Sequence, residues 1–214
     1  GTVQTNLLEG ALIVIFILIL LLGNLRAGLV VASVIPLSLL FAVSLMNFFG
    51  VSGNLMSLGA IDFGLIVDGA VIIVEAIVHR LQITDRGKLS TAQMDDAVYQ
   101  ASSKIRGSAA FGEIIILIVY LPILALVGIE GKMFRPMAQT VSFAILGAFI
   151  LSLTYVPMMT ALFLSKKTGH TQNISDRIIA FCYRIYAPFL EGALKMKAVV
   201  VGLAILFFAV SMLV

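Results

Sequence analysis

The sequence predicts an all-α membrane protein: a bundle of six transmembrane helices with an amphipathic helix in the cytoplasmic-side interface. Three observations lead there. Hydrophobic residues make up 61% of the 214-residue chain and charged residues 12%, where a soluble domain is usually about 45–50% apolar and about 25% charged. The mean hydropathy is +1.13. Finally, long stretches stay apolar on every face, too long for barrel strands of about 10 alternating residues, so their backbone groups must be satisfied inside helices.

Crossing a hydrocarbon layer roughly 30 Å thick takes about 20 helical residues. The stretches that approach or meet this length are Leu7–Leu22, Leu29–Phe49, Leu55–Val78, Ser108–Ile129, Met137–Leu164 and Ala198–Val214, the last being the start of a sixth span. Pro36, Pro122 and Pro157 fall inside spans, where a missing N–H and a ring clash can kink a helix. Between spans, residues 79–107 mix both charge signs and suit a short cytoplasmic helix. In residues 171–190, Ile174, Ile178, Ile179, Cys182, Ile185 and Phe189 recur at helical spacing with Asp176, Arg177 and Arg184 between them, the pattern of a helix lying in an interface. The chain thus divides into a helix bundle (1–170), an amphipathic helix with linker (171–197) and the start of a further span (198–214). Gly1 in place of an initiator Met, and an apolar run ending at Val214, point to a fragment of a longer protein.

Orientation follows from the basic residues. If the segment before Leu7 is outside, the inner loops hold Arg26, Arg80, Arg86, Lys88, Lys104, Arg106, Lys166, Lys167, Arg177, Arg184, Lys195 and Lys197, that is 12 of the 14 Lys and Arg residues. Only Lys132 and Arg135 fall outside. Positive-inside counting therefore puts both chain ends outside.

The third span carries the chemistry. It reads from Asn54 through Asp62 and Asp68 to Glu75, holding three of the five acids within spans; the others are Glu9 and Glu113, both near span ends and read first as helix-end residues. No span contains Lys, Arg or His. An ionised Asp near a helix centre costs roughly 2.5–3.5 kcal/mol on the insertion scale, whereas each Leu, Ile, Val or Phe returns roughly 0.3–0.6 kcal/mol. Thirteen such residues between Leu55 and Val78 bring the helix only to marginal insertion, so the acids must face neighbouring helices or water, or carry protons. Asp68 and Glu75, seven apart, share a face about 10 Å apart along the axis, whereas Asp62 and Asp68, six apart, lie about 120° around it. Carboxylates at stepped depths with no fixed counter-cation suit a proton or cation relay: Asp62 outermost, Asp68 central, Glu75 innermost. Gly64 and Gly69, among other small residues, allow close helix approach there.

Other chemistries fail on residue grounds. His79 and His170 lie in loops without ligands at metal spacing, and the single Cys182 supports neither a disulfide framework nor a cysteine metal cluster. The nine Met residues mostly fill apolar spans. No resident metal or cofactor site is expected. The net charge of +3 is spread through short loops, which excludes a nucleic-acid patch. An aspartyl intramembrane protease needs two Asp on facing helices, and here both lie on one.

The run from Asn54 to Glu75 resembles the fourth transmembrane helix of heavy-metal efflux pumps of the resistance-nodulation-division (RND) superfamily. Val119-Tyr-Leu-Pro122-Ile followed by Glu130-Gly-Lys-Met-Phe-Arg135-Pro136-Met-Ala is similar to that family's outer connection between its fifth and sixth helices. Acids at both Asp62 and Asp68 are more like the cobalt-zinc-cadmium subgroup; Ala76 departs from the family's usual Asn. The resemblance implies a fragment covering helices two to seven of a non-enzymatic proton antiporter in the bacterial inner membrane. It implies protons and a divalent metal cation as transported species, a homotrimer, a periplasmic adaptor and an outer-membrane channel, with Asp62, Asp68 and Glu75 as the proton relay. An RND exporter of another cargo, such as drugs or lipids, is the alternative.

Overall fold

The computed structural model describes residues 2–53, 62–83, 87, 89–165 and 174–212. The outer part of the third expected span (54–61), Arg86, Lys88 and residues 166–173, including His170, lie outside them. Two compact units are present, Gly1–Thr171 and Gln172–Val214, and all regular structure among the described residues is helical.

The first unit contains α1 (Thr2–Leu22), α2 (Leu25–Phe49), α3 (Phe63–Ile83), α4 (Thr91–Leu124), α5 (Gly128–Leu153) and α6 (Tyr155–Phe163). Their limits have local causes. Asn24 Oδ1 accepts hydrogen bonds from the N–H groups of Arg26 and Ala27 at 3.1 and 3.3 Å, satisfying donors that the start of a helix leaves orphaned. Gly50 closes α2 with φ +66°, a left-handed conformation that glycine adopts at little cost. Ser90 and Gln93 form a reciprocal capping box at the start of α4.

Helix α3 is the hub of this unit, packing against α1, α2, α4, α5 and α6. Ile66, Val67, Ala70, Ile73, Val74 and Ile77 form its buried face. Close crossings elsewhere depend on glycine: a Cβ on Gly147 of α5 would lie 2.7 Å from the Phe41 ring of α2. Where lipid is as apolar as leucine, such contact surfaces rather than hydrophobic exclusion hold helices together. The outward surfaces are correspondingly apolar, with Phe16 67% and Leu40 64% exposed.

Three expectations change. Residues 91–107 are not a separate short helix, because α4 runs unbroken for 34 residues from Thr91 to Leu124. The connection between α4 and α5 is tighter than the span limits suggest: Gly128, at φ +75°, starts α5, so residues 130–135 are helical. Met137–Leu164 is not one helix but two, interrupted at Thr154. Pro157 has no N–H for the carbonyl of Leu153, and its ring collides with that carbonyl in a continuous helix.

By length and composition, α2, α4 and α5 can each cross a membrane. The apolar part of α1, Leu8–Leu22, is shorter, and α3 carries Asp68, Glu75 and Arg80 within its 21 residues. The second unit consists of α7 (Ile174–Lys195) and α8 (Lys197–Met212). Ala180–Lys195 and Lys197–Met212 meet at a bend of 89°, and counted as one span they raise the number of crossings from three to four. Arg177, Arg184 and Glu191 recur every seven residues along α7, which places them on one side of it.

Candidate functional site

The two faces of α3 differ in kind. Opposite the buried aliphatic face, Asp68, Ile72, Glu75 and His79 are exposed, at the alternating three- and four-residue steps of one helical stripe. Asp68 and Glu75 therefore share an exposed face, the part of which from Ile72 to His79 borders a cavity shared with α4.

Asp62 is placed differently. It stands just outside α3, and its Oδ1 accepts a hydrogen bond from Gly64 N–H at 2.8 Å, the position and bond of a helix N-cap. Its carboxylate has a structural task as well as a place at the end of the acid series. Gly64 is exposed, and the nearest group to a Cβ there would be the Asp62 carboxylate, at 3.1 Å.

Gly69 lies at a close approach of three helices. A Cβ on it would overlap the carboxyl of Glu113 from α4, 2.6 Å from Cδ, and lie 3.3 Å from Ser152 Oγ of α5. Glu113 fills that space and is only 3% exposed. Ser152 Oγ is 3.5 Å from each Glu113 carboxyl oxygen and 2.9 Å from the carbonyl of Phe149. Asp68 is next to Gly69 in the chain, so its backbone lies beside the Glu113 carboxyl.

Towards its C-terminal end, α3 opens onto a cavity of about 580 Å³ shared with α4. Glu75, His79, Arg80, Gln100 and Lys104 line it. Arg80 Nη2 donates to Gln100 Oε1 at 3.1 Å, and Gln100 Nε2 donates to Asp96 Oδ2 at 2.9 Å. Ile72, Ala76, Ile83, Ala101 and Ile105 complete the lining, so Glu75 borders a cavity of mixed character, whereas Asp68 stands two turns further into the apolar length of the helix. Among the described residues no group of three or more His, Cys, Asp or Glu is placed to hold a metal ion.

A model of the AcrB/AcrD/AcrF family matches residues 1–214. The chain belongs to the AcrB/AcrD/AcrF family. It is 49% identical over 207 residues to the cobalt-zinc-cadmium resistance protein CzcA of Cupriavidus metallidurans, covering 95% of this chain and 19% of that protein. To the nickel and cobalt resistance protein CnrA of the same organism it is 46% identical over 213 residues, covering 98% of this chain and 20% of CnrA. The crystal structure of a heavy metal efflux pump superposes with a TM-score of 0.63 at 42% identity, covering 73% of this chain and 15% of that one. The chain therefore spans about a fifth of the length of these curated relatives, and the resemblance to heavy-metal RND pumps read from Asn54–Glu75 stands.

Within this AcrB/AcrD/AcrF-family chain, Glu113 is the group that pattern reading undervalued. An acid near the inner end of an apolar run normally reaches back to water, and residues 108–129 looked like such a run. The signal was partial: Gly69 promised a close approach, but nothing in the order of residues said which side chain would fill it. Ser152, 39 residues further on, has no signature of its own.

Proposed function

We propose that this chain is the proton-translocating membrane portion of a proton-driven inner-membrane pump that exports divalent metal cations, a secondary transporter and not an enzyme. The observation that carries the reading is the acid stripe of α3. Asp68 and Glu75 lie on the open face of a helix whose other face packs against every neighbour in the unit, in a chain 49% identical to a cobalt-zinc-cadmium resistance protein. An ionised carboxylate facing hydrocarbon costs roughly 2.5–3.5 kcal/mol at a helix centre, so that face calls for a polar partner, water or a bound proton.

Protons enter from the outer side, neutralise Asp68 and leave through Glu75 and its cavity. Asp68 and Glu75 are about 10 Å apart along the axis, too far for direct transfer, so water or a partner side chain bridges them. Loss of charge at Asp68 changes what its face can pack against. Because α3 touches all five other helices of the unit, a shift of α3 is felt by each. The 19% coverage of CzcA leaves room for further membrane and periplasmic parts. By likeness to the family the pump works as a homotrimer with a periplasmic adaptor and an outer-membrane channel. The amphipathic α7 lies along the cytoplasmic interface.

The test is proton flux in proteoliposomes of the complete transporter under an imposed pH gradient. Addition of zinc, cobalt or cadmium is expected to accelerate proton movement; if no divalent cation does so, the assigned cargo is wrong.

Asp62 separates two tasks experimentally. Asparagine caps a helix about as well as aspartate, whereas alanine in place of a cap costs about 1 kcal/mol. With Asp62 as the outer proton station, Asp62→Asn is expected to keep the thermal unfolding midpoint and lose metal-coupled flux. Full flux in Asp62→Asn, with stability lost only in Asp62→Ala, would reduce Asp62 to a cap.

A further inference from the structure

Glu113 is a buried carboxyl that the relay along α3 does not use. It packs where α4 meets α3, α5 and α6, and each supplies a small set of polar groups. From α3 comes Asp68, with Glu75 about 10 Å along the axis from it. From α5 comes Ser152; the charged Glu130, Lys132 and Arg135 lie at the other end of that helix, about 25 Å away at their nearest. From α6, Tyr155 turns its hydroxyl to Ser33 of α2 at 3.1 Å. On α4 itself, Lys104 and Arg106 are seven or more residues earlier. Among the described residues, then, the groups beside Glu113 are a neutral hydroxyl and, next to Gly69 in the chain, another acid.

The Ser152 hydroxyl can partner either protonation state. A serine has one proton to donate, and the shorter, stronger contact of Ser152 is the 2.9 Å one to Phe149 O. Ser152 Oγ also stands 3.5 Å from each Glu113 oxygen, where its O–H can donate to a carboxylate or, while it donates to Phe149 O, its lone pair can accept from a carboxylic acid. A buried carboxylate beside a second acid is costly, whereas the carboxylic acid removes that charge and keeps a partner, because its O–H can donate to Ser152 Oγ. Gly69 makes this arrangement possible by leaving room for the carboxyl beside Asp68.

We propose that Glu113 is a proton-binding site of the bundle, resting as the acid against Ser152 and exchanging its proton with Asp68. In the exchange the proton leaves a Glu113 oxygen and binds an Asp68 carboxylate oxygen. The Ser152 hydroxyl turns from Phe149 O to the Glu113 carboxylate so formed, and the reverse transfer restores both bonds. This inference rests on the reading of Asp68 as a proton carrier and adds a store beside it.

The experiment is infrared spectroscopy of the complete transporter, titrated with pH, comparing wild type, Glu113→Gln, Ser152→Ala and Asp68→Asn. Wild type is expected to show a carboxylic-acid C=O band at neutral pH that Glu113→Gln lacks. Ser152→Ala is expected to keep the band at a shifted frequency, and Asp68→Asn to keep it with a shifted pH midpoint. Identical bands in wild type and Glu113→Gln would show Glu113 ionised and overturn the proposal, as would a band untouched by Ser152→Ala. A midpoint unmoved by Asp68→Asn would overturn the exchange. Metal-coupled flux is measured separately on the same variants: its survival in Asp68→Asn would sink the relay reading, while the band still decides whether Glu113 holds a proton.

Discussion

Replacing Asp68 by Asn is expected to lower metal-coupled proton flux about a hundredfold or more while leaving the fold intact. The two halves of that expectation have separate causes. Asn has nearly the same size and shape as Asp, and residue 68 is on the exposed face of α3, so no packed contact of the unit is lost. A neutral amide also removes the charge that makes the open face costly in an apolar surrounding, which favours insertion. What the amide cannot do is bind and release a proton, and removing a positioned proton-transfer group typically costs about 10²–10⁴-fold in rate. Asp68→Glu supplies the control: a titratable group displaced by one methylene is expected to keep part of the flux. The readouts are flux in proteoliposomes, the unfolding midpoint and oligomeric state. Normal flux in Asp68→Asn would leave Asp68 as a packing or solubility residue and remove the centre of the proposed relay.

The contrast between Asp68 and Glu113 explains what was legible in the sequence. Helices were legible because apolar length and local stop signals act within a few residues. The run Leu29–Phe49 falls within α2, whose first residue follows the cap Asn24 and whose last precedes the left-handed Gly50. The shared face of Asp68 and Glu75 was legible for the same reason, since helical periodicity is a local property. Thr154 was half legible. Pro157 announced a disturbance four residues upstream, yet Pro36 leaves α2 unbroken by the same chemistry, and neighbouring contacts decide which outcome prevails. The length of α4 was misread because the charged residues before Ser108 read as a short helix separate from the apolar span, whereas the capping box of Ser90 and Gln93 starts one helix that carries both. The pocket of Gly69, Glu113 and Ser152 was not legible, because three helices must be docked before those residues meet.

That docking gives Gly69 a sign opposite to its usual one. In an exposed helix interior, Gly→Ala stabilises by roughly 0.8–1.0 kcal/mol through helix propensity. At residue 69 the added methyl would overlap the Glu113 carboxyl and press on Ser152 Oγ at 3.3 Å. Glu113 has little freedom to retreat at 3% exposure, and forcing an extra carbon into a packed site typically costs about 1–3 kcal/mol. Overpacking exceeds propensity, so Gly69→Ala is expected to lower the unfolding midpoint of the complete transporter, and Gly69→Val to lower it further. The cause is checked by a double-mutant cycle. Glu113→Ala vacates the space the methyl needs, so in that background Gly69→Ala is expected to be neutral or stabilising, with a coupling of about 0.5–3 kcal/mol between the two positions. Additive effects would mean that α3 and α4 do not meet at this pair, which would remove both the pocket and the placement of Glu113 beside Asp68.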